Sequence, residues 1–235
     1  MPIHSLHDLV DALDGNVDIS GPCVALSFDD GSWFDWYDLE HPTYGMQRSF
    51  ANVLSDFEEH TGQIAPATSF VIASPEARST LDRTCMIGKG WWGDDWWIPA
   101  THSKRIAIEN HSWDHQHETL PQIASGLPGG TFANVLDHTS ADIQIRQASK
   151  YLDTLLPQRR TRLLAYPYGE SNDYLVNEYL PRFRHEHGLD AAFGTNPEPV
   201  TCGSSRWLLG RYVCGHHWSS TDSLRLLLKD AIGVT

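Results

Sequence analysis

The sequence is poor in cysteine, in positive charge and in long apolar runs, and each shortage closes off a class of protein. Its four cysteines (Cys23, Cys85, Cys202 and Cys214) are scattered over 235 residues with no CxxC pair. That spacing argues against a disulfide scaffold or a zinc ribbon, and buried free thiols are the expectation. Seventeen Lys and Arg stand against 30 Asp and Glu, a formal net charge of −13. So acidic a chain does not seek phosphate backbones, so nucleic acid is not an expected partner. The acidity is spread along the chain without an acidic tail, and solubility accounts for it. No segment approaches the ~18 consecutive apolar residues of a transmembrane helix. The opening stretch MPIHSLHDLVDAL also lacks the basic region and apolar run of a signal peptide. No membrane partner is expected, and a cytoplasmic location is the default. Oligomeric state is left open.

Internal repeats and low-complexity linkers are absent too, so residues 1–235 read as a single catalytic domain. The length suits one α/β domain, since α/β barrels commonly run to about 200–250 residues. A chain of this size hides on the order of 70% of its unfolded surface and needs no staples. Short apolar runs alternate with longer amphipathic segments, the pattern of βα units around a parallel sheet or barrel. Strands are expected at Pro22 to Phe28, Ala67 to Ala73, Ile106 to Ile108, Arg162 to Tyr168, Leu189 to Thr195 and Trp207 to Cys214. Helices are expected at Gln47 to Glu59, where Phe50, Val53, Leu54 and Phe57 keep helical spacing before Gly62, and at Ala141 to Leu156. A helix interrupted near Pro181 spans Asn172 to Gly188. A terminal helix covers Ser223 to Ala231, with an N-cap among Ser219 to Thr221.

Thirteen histidines and nine tryptophans are what the sequence has in excess. Three polar clusters follow the ends of expected strands: Asp29-Asp30-Gly31, His111 to His115, and Tyr166-Pro167-Tyr168-Gly169. In parallel α/β folds, catalytic groups collect at that edge of the sheet. Adjacent aspartates in an extended chain face opposite sides, so one can ligate a metal while the other reaches the substrate; Asp-Asp-Gly is also ordinary turn chemistry. His111 and His115 stand at i and i+4. On a helical turn they would share a face and grip one ion. An extended backbone would instead pair His115 with His117, and two unrelated surface histidines are the plain alternative. Two histidines and a carboxylate make an open zinc site with a vacant place for water, whose pKa the metal lowers towards ~7. Cobalt, nickel or manganese suit similar donors.

The order Ser27-Phe28-Asp29-Asp30-Gly31, then Asn110-His111-Ser112-Trp113-Asp114-His115, then Ala165-Tyr166-Pro167-Tyr168-Gly169 resembles the NodB-homology polysaccharide deacetylases, carbohydrate esterase family 4. The resemblance spans roughly residues 22–215. It implies a distorted (β/α) barrel and a metal-dependent hydrolase that removes acetyl groups from N- or O-acetylated carbohydrate. Asp30, His111 and His115 would be the metal ligands, Asp29 the general base, and the Tyr168 N–H an oxyanion donor. Two departures stand out. The arginine that often opens the third motif is Ala165 here, which leaves Arg211 to orient Asp29, or to make a plain salt bridge. The family's late Leu-x-His is also missing, since Leu226-Leu227-Leu228-Lys229 carries no histidine; His216 and His217 are the nearest candidates for the general acid.

Tryptophan surface suits both sugar faces and apolar cores. Trp33 and Trp36, with Tyr37 beside them, and Trp96 and Trp97 in the run Trp91 to Trp97, with Tyr166, are candidate substrate contacts; the run could equally cap a hydrophobic subdomain or a subunit interface. Asn110-His111-Ser112 matches a glycosylation sequon, a pattern common by chance, and Gly129-Gly130 lacks the context of a phosphate loop. Two other functions fit the same residues: opening of a cyclic amide or imide, which releases no acetate, and a catalytically inactive relative that binds carbohydrate without turnover.

Overall fold

The structure is a computed structural model and describes residues 1–156 and 160–233. Helix α1 (Leu6–Leu13) starts at Ser5, whose hydroxyl accepts the Asp8 N–H while the Asp8 carboxylate reaches back in a capping box. Strand β1 (Leu26–Phe28) leads into the aspartate pair. A small antiparallel hairpin follows, β2 (Leu39–His41) with β3 (Gly45–Gln47), and then α2 (Phe50–Thr61). Strand β4 (Ala67–Val71) precedes α3 (Pro75–Thr84) and α4 (Trp97–Ser103), and β5 (Ile106–Asn110) ends at the histidines. One long helix is made of α5 (His138–Ala141), a π-turn at Asp142–Arg146, and α6 (Gln147–Leu155). After β6 (Leu163–Ala165) come a second π-turn at Leu175–Tyr179 and the short helices α7 (Leu180–Arg182) and α8 (Arg184–His187), then β7 (Ala191–Phe193). Helix α9 (Thr221–Ala231) closes the described chain, capped by Ser220.

Five strands form one parallel sheet in the order β1-β4-β5-β6-β7, curled into an open half-barrel with helices around it. The α/β class and the distorted barrel match the sequence expectation. Strand periodicity explains the layering, because alternate side chains face opposite sides. Phe70, Leu163, Ala165, Ala191 and Phe193 point into the curl and meet Leu6 and Val10 of α1 and Leu209. The alternate residues Ala67, Val71, Ile106 and Ile108 pack outward with Leu152 of α6 and with Trp96, Trp97 and Ala100. Each large side chain removed from water in this way contributes about 1.5–3 kcal/mol. At the base of the curl, Glu109 accepts the backbone N–H groups of Arg162 and Leu163, at 2.8 Å each, and contacts His7 Nε2 at 2.7 Å. This ties α1 to the sheet.

Several local expectations are corrected. Helix α2 begins at Phe50, because Gln47 is taken by β3 and Ser49 caps the helix by accepting the Asn52 N–H. Gly62, at φ 69°, ends it as expected. Trp207 to Cys214 is not a strand; Leu209 makes an isolated bridge to Phe193 and Cys214 one to Trp218. Leu209 pairs with β7 through Ala192 and Gly194, but the chain then turns away at Gly210 and the Arg211 N–H donates to the Asn196 carbonyl instead of continuing the ladder. All four cysteines are free, but Cys85, Cys202 and Cys214 are exposed and Cys23 is half-buried, so the expectation of burial fails. None of the described helices is long and apolar enough to cross a membrane.

Candidate active site

The aspartates stand at the C-terminal end of β1. Ser27 points into the curl, and Asp29 does the same two residues on. Asp30 leaves the extended conformation at φ 74°, and Gly31 follows at φ 76°. That reversal brings both carboxylates to the barrel mouth, where a straight strand would have sent one away. Gly31 is required there: a Cβ on it would sit 2.5 Å from Val71 Cγ1. Trp92 Nε1 donates to the Asp30 carbonyl at 2.9 Å and fixes the turn from above.

The histidines do not lie on a helical turn. Ser112, His115 and Gln116 all have positive φ, so the segment is an irregular loop. Its shape comes from the side chains within the motif. Asn110 Oδ1 accepts the Ser112 N–H at 2.7 Å, and Ser112 Oγ accepts the His115 N–H at 2.9 Å. Asp114 accepts from the Gln116 and Ala124 N–H groups and from Gln144 Nε2. Asn110 Nδ2 donates to the Ile145 carbonyl and Ser149 Oγ, which anchors the loop to the α5–α6 helix. Positive-φ residues such as these cost about 1–3 kcal/mol each and persist only where surroundings over-determine them.

Despite the different backbone, both imidazoles reach Asp30. His111 Nε2 lies 3.4 Å and His115 Nε2 3.6 Å from Asp30 Oδ1, and the two rings are 4.9 Å apart. One ligand atom from each of the three residues falls within 4.8 Å of the others. Tetrahedral donors bonded at 2.0–2.2 Å to one ion lie about 3.3–3.6 Å from each other, so this donor set fits a transition metal. His111 Nδ1 lies 2.9 Å from the Ala165 carbonyl, which directs its Nε2 lone pair at the cluster.

Arg211 grips Asp29 with two bonds, Nη1 to Oδ1 at 2.6 Å and Nη2 to Oδ2 at 2.9 Å. It also donates from Nε to the Gly194 carbonyl at 3.0 Å and from Nη1 to Ser27 Oγ at 3.3 Å. Ser27 belongs to β1 and Gly194 follows β7, so one guanidinium ties together the two edges of the open sheet. Burial pushes the Asp29 carboxyl up, but the charges of Arg211 and His111 outweigh it and hold the group below the usual carboxylate range. Asp30 is lowered in the same way, with His111 and His115 outweighing burial. Burial lowers His111, yet the carboxylates of Asp29 and Asp30 bring it up overall. His115 is pushed down to about 3 by burial and the charge of His111, so its ring stays neutral and able to ligate.

Tyr168 sits in a tight turn at φ 58°, with its ring 4.5 Å from His115. Gly169 beside it admits no Cβ, which would meet Thr195 Oγ1 at 2.0 Å. Among the described residues the Tyr168 N–H has no hydrogen-bond acceptor. The two late histidines pack within their own loop: His217 Nδ1 accepts the Val213 N–H, the His217 ring contacts Tyr212, and the His216 and His217 rings contact each other. None of these contacts reaches Asp29, Asp30, His111 or His115. The third imidazole at the mouth is His117, 5.8 Å from His115, and its ring nitrogens lie 3.8–3.9 Å from Cys85 Sγ.

Of the aromatic candidates, Trp96, Trp97 and Tyr166 are core residues, each no more than 1% exposed. A ring with no free face cannot stack on a sugar, so these three are corrected. Tyr166 instead donates its hydroxyl to the Trp207 carbonyl at 2.8 Å. Trp36 is half-buried and stacks on Trp96. Trp33 is half-buried beside the aspartate turn, with Nε1 held by Asp95 Oδ1 at 2.9 Å and its N–H by the Trp91 carbonyl. Sequence reasoning missed Asp35. It is 2% exposed, accepts the Ser69 hydroxyl at 2.6 Å, and is pushed up to about 8 by burial against that one hydrogen bond. Nothing local in Ser32-Trp33-Phe34-Asp35 marks that acid as buried.

A model of the polysaccharide deacetylase family matches residues 16–180. The chain belongs to the polysaccharide deacetylase family. It is thus a hydrolase of acetylated carbohydrate, from a metal-dependent family. Arg211, His216 and His217 lie beyond the matched stretch. Among solved structures, the fold is similar to a de-N-acetylase from Aggregatibacter actinomycetemcomitans, at 16% identity over 96% of this chain and 82% of that one, with a TM-score of 0.63. It is also similar to IcaB from Ammonifex degensii (16%, 97% and 81%, 0.60) and to the BpsB deacetylase domain from Bordetella bronchiseptica (16%, 90% and 78%, 0.58). A search of curated proteins by sequence finds no match.

Proposed function

We propose that this deacetylase hydrolyses the acetamide of an N-acetylated sugar, with Asp30, His111 and His115 as the metal ligands and Asp29 as the general base. The observation that carries the reading is the convergence of Asp30 Oδ1, His111 Nε2 and His115 Nε2 at the mouth, beside a second carboxylate that Arg211 holds ionised. Two imidazoles and a carboxylate favour zinc. When bound, such an ion polarises the acetyl carbonyl and makes a water acidic enough to attack near neutral pH. The chain's own groups do the rest. Asp29 accepts the proton of the attacking water and passes it to the nitrogen of the departing amine as the C–N bond breaks. The Tyr168 N–H, which has no competing acceptor, donates to the developing oxyanion, an interaction of a few kcal/mol in preorganised sites. Trp33, held in place by Asp95, offers an aromatic face to the sugar ring. The described helices pack around one five-stranded sheet, which supports reading the chain as one catalytic domain.

The test is metal content together with acetate release from an N-acetylated oligosaccharide. The wild type should carry about one catalytic ion and release acetate. His111→Ala should lose that ion, and Asp29→Asn should keep it while turnover falls by about 100-fold or more. Near-normal turnover of Asp29→Asn would overturn the assignment, and a ring-opened product without acetate would point to a cyclic amide substrate.

A further inference from the structure

We propose that the protein holds a second transition-metal site, formed by His138, Asp142 and Glu186 and separate from the barrel mouth. His138 opens α5 and Asp142 stands four residues later, so both lie on one helix face. Glu186 comes from α8 across the groove. One ligand atom from each falls within 4.8 Å of the others, with His138 Nε2 and Glu186 Oε2 3.9 Å apart, a looser spacing than the 3.4 and 3.6 Å at Asp30 that an ion would draw in. None of the three contributes to the site described above.

Among the described residues the His138 imidazole makes no hydrogen bond, and aromatic packing positions it. Its ring packs edge-on against Phe183, at 4.6 Å, and against Tyr179, at 5.7 Å. That packing aims Nε2 at Glu186 Oε2 from 3.9 Å, too far for a hydrogen bond. Arg146 donates to both oxygens of Asp142, Nε to Oδ1 and Nη2 to Oδ2, and the Tyr179 hydroxyl approaches Oδ1 at 3.5 Å, but a carboxylate offers about four lone-pair positions, so one on Oδ2 can still serve an ion. His185 lies on the other oxygen of Glu186, with Nε2 at 3.7 Å from Oε1, within reach as a further donor. All three side chains are partly exposed, at 45%, 21% and 33%, so an ion can enter with water completing its shell. Before the ion arrives, two carboxylates face one arginine, and this leaves an excess negative charge for a cation to neutralise. Imidazole with two carboxylates suits zinc.

The site also has a structural context. The helix segments on both sides carry π-turns, at Asp142–Arg146 and Leu175–Tyr179, a feature frequent at functional sites. An ion bridging His138, Asp142 and Glu186 would cross-link the α5–α6 helix to α8. The same helix holds the histidine loop, through Gln144 to Asp114 and through the Ile145 carbonyl to Asn110. The hydrogen bonds that support the inner loop form without an ion at the outer site.

The test is calorimetric titration of zinc chloride into the metal-stripped protein. Two ions are expected in the wild type and one in His111→Ala. One is also expected in Glu186→Gln, which keeps full acetate release and the tighter event. His138→Ala serves as a second variant that removes the imidazole donor. If Glu186→Gln and His138→Ala both bind as many ions as the wild type, the proposal is overturned. One ion in the wild type and none in His111→Ala would overturn it as well. One ion in both the wild type and His111→Ala, lost in Glu186→Gln, would support this site and refute the inner one.

Discussion

Removal of Arg211 should change how the enzyme responds to pH, beyond lowering its rate. Two opposing influences act on Asp29: burial raises its pKa, while Arg211, through two short charge-assisted bonds, lowers it. Arg211→Ala leaves the burial and deletes the counter-charge. An opposite charge at this range depresses a carboxyl by about 1–3 units. The acid limb of kcat/KM, where the base must ionise, should therefore move up by about 1–3 pH units. Each unit means a tenfold smaller share of active base on the acid side, so the loss deepens at low pH and recovers towards alkaline pH. Arg211→Lys keeps a cation but not the planar fork, so its limb should stay near that of the wild type while its maximal rate falls. The assay is acetate release across pH 4–9, with metal content measured in each protein. A metal-replete Arg211→Ala whose limb coincides with the wild type would refute the reasoning, even if its rate were lower, because a purely structural clasp between the sheet edges predicts a uniform loss.

Other consequences are as direct. A general acid contributes about 100-fold or more, and among the described residues His216 makes no hydrogen bond or ring contact with Asp29, Asp30, His111 or His115, so His216→Ala should keep its kcat within about threefold; a hundredfold drop would return the acid role to it. The folded Asp35 carboxyl titrates at about 8 against about 4 unfolded, so the folded state binds the extra proton between these values and stability falls as pH rises through that window. Asp35→Asn should remove this loss, so its melting temperature should gain on the wild type from pH 5 to pH 9; a constant difference would show that Asp35 is not buried as a neutral acid. His115 has the opposite sense in its own window: held neutral down to about 3, it withdraws stability as pH falls below about 6.5, because the unfolded chain takes up the proton first. Gly31→Ala combines an unfavourable φ with a Cβ pressed into Val71, and about 2–5 kcal/mol of destabilisation is expected from chemical denaturation; a change below 1 kcal/mol would contradict the tight approach of β1 to β4.

Asp29, Asp30, His111 and His115 were legible because their chemistry is written in residue type and order. A carboxylate pair and a histidine pair, each after an apolar strand, offer donors for a metal whatever the backbone between them, and their order is what resembles the deacetylase family. The parallel sheet was legible for a similar reason: short apolar runs separated by amphipathic helices have few other ways to bury their faces. Long-range packing decided the remainder. The i, i+4 spacing of His111 and His115 suggests a helical turn, yet Asn110, Ser112 and Asp114 bond to the loop's own backbone and to the α5–α6 helix, and the rings converge from positive-φ positions instead. Trp96 and Trp97 look like a sugar platform in sequence, but they fill the space between α4 and the sheet. Burial depends on what arrives opposite a side chain, and no local pattern contains that. For the same reason Asp35 is unremarkable in sequence and buried in the fold. Arg211 meets Asp29 across 182 residues only because the sheet curls until its first and last strands share one guanidinium. The sequence alone determined the kind of chemistry and the class of fold; the tertiary structure decided which side chains face the mouth, since that depends on how distant strands and loops close on one another.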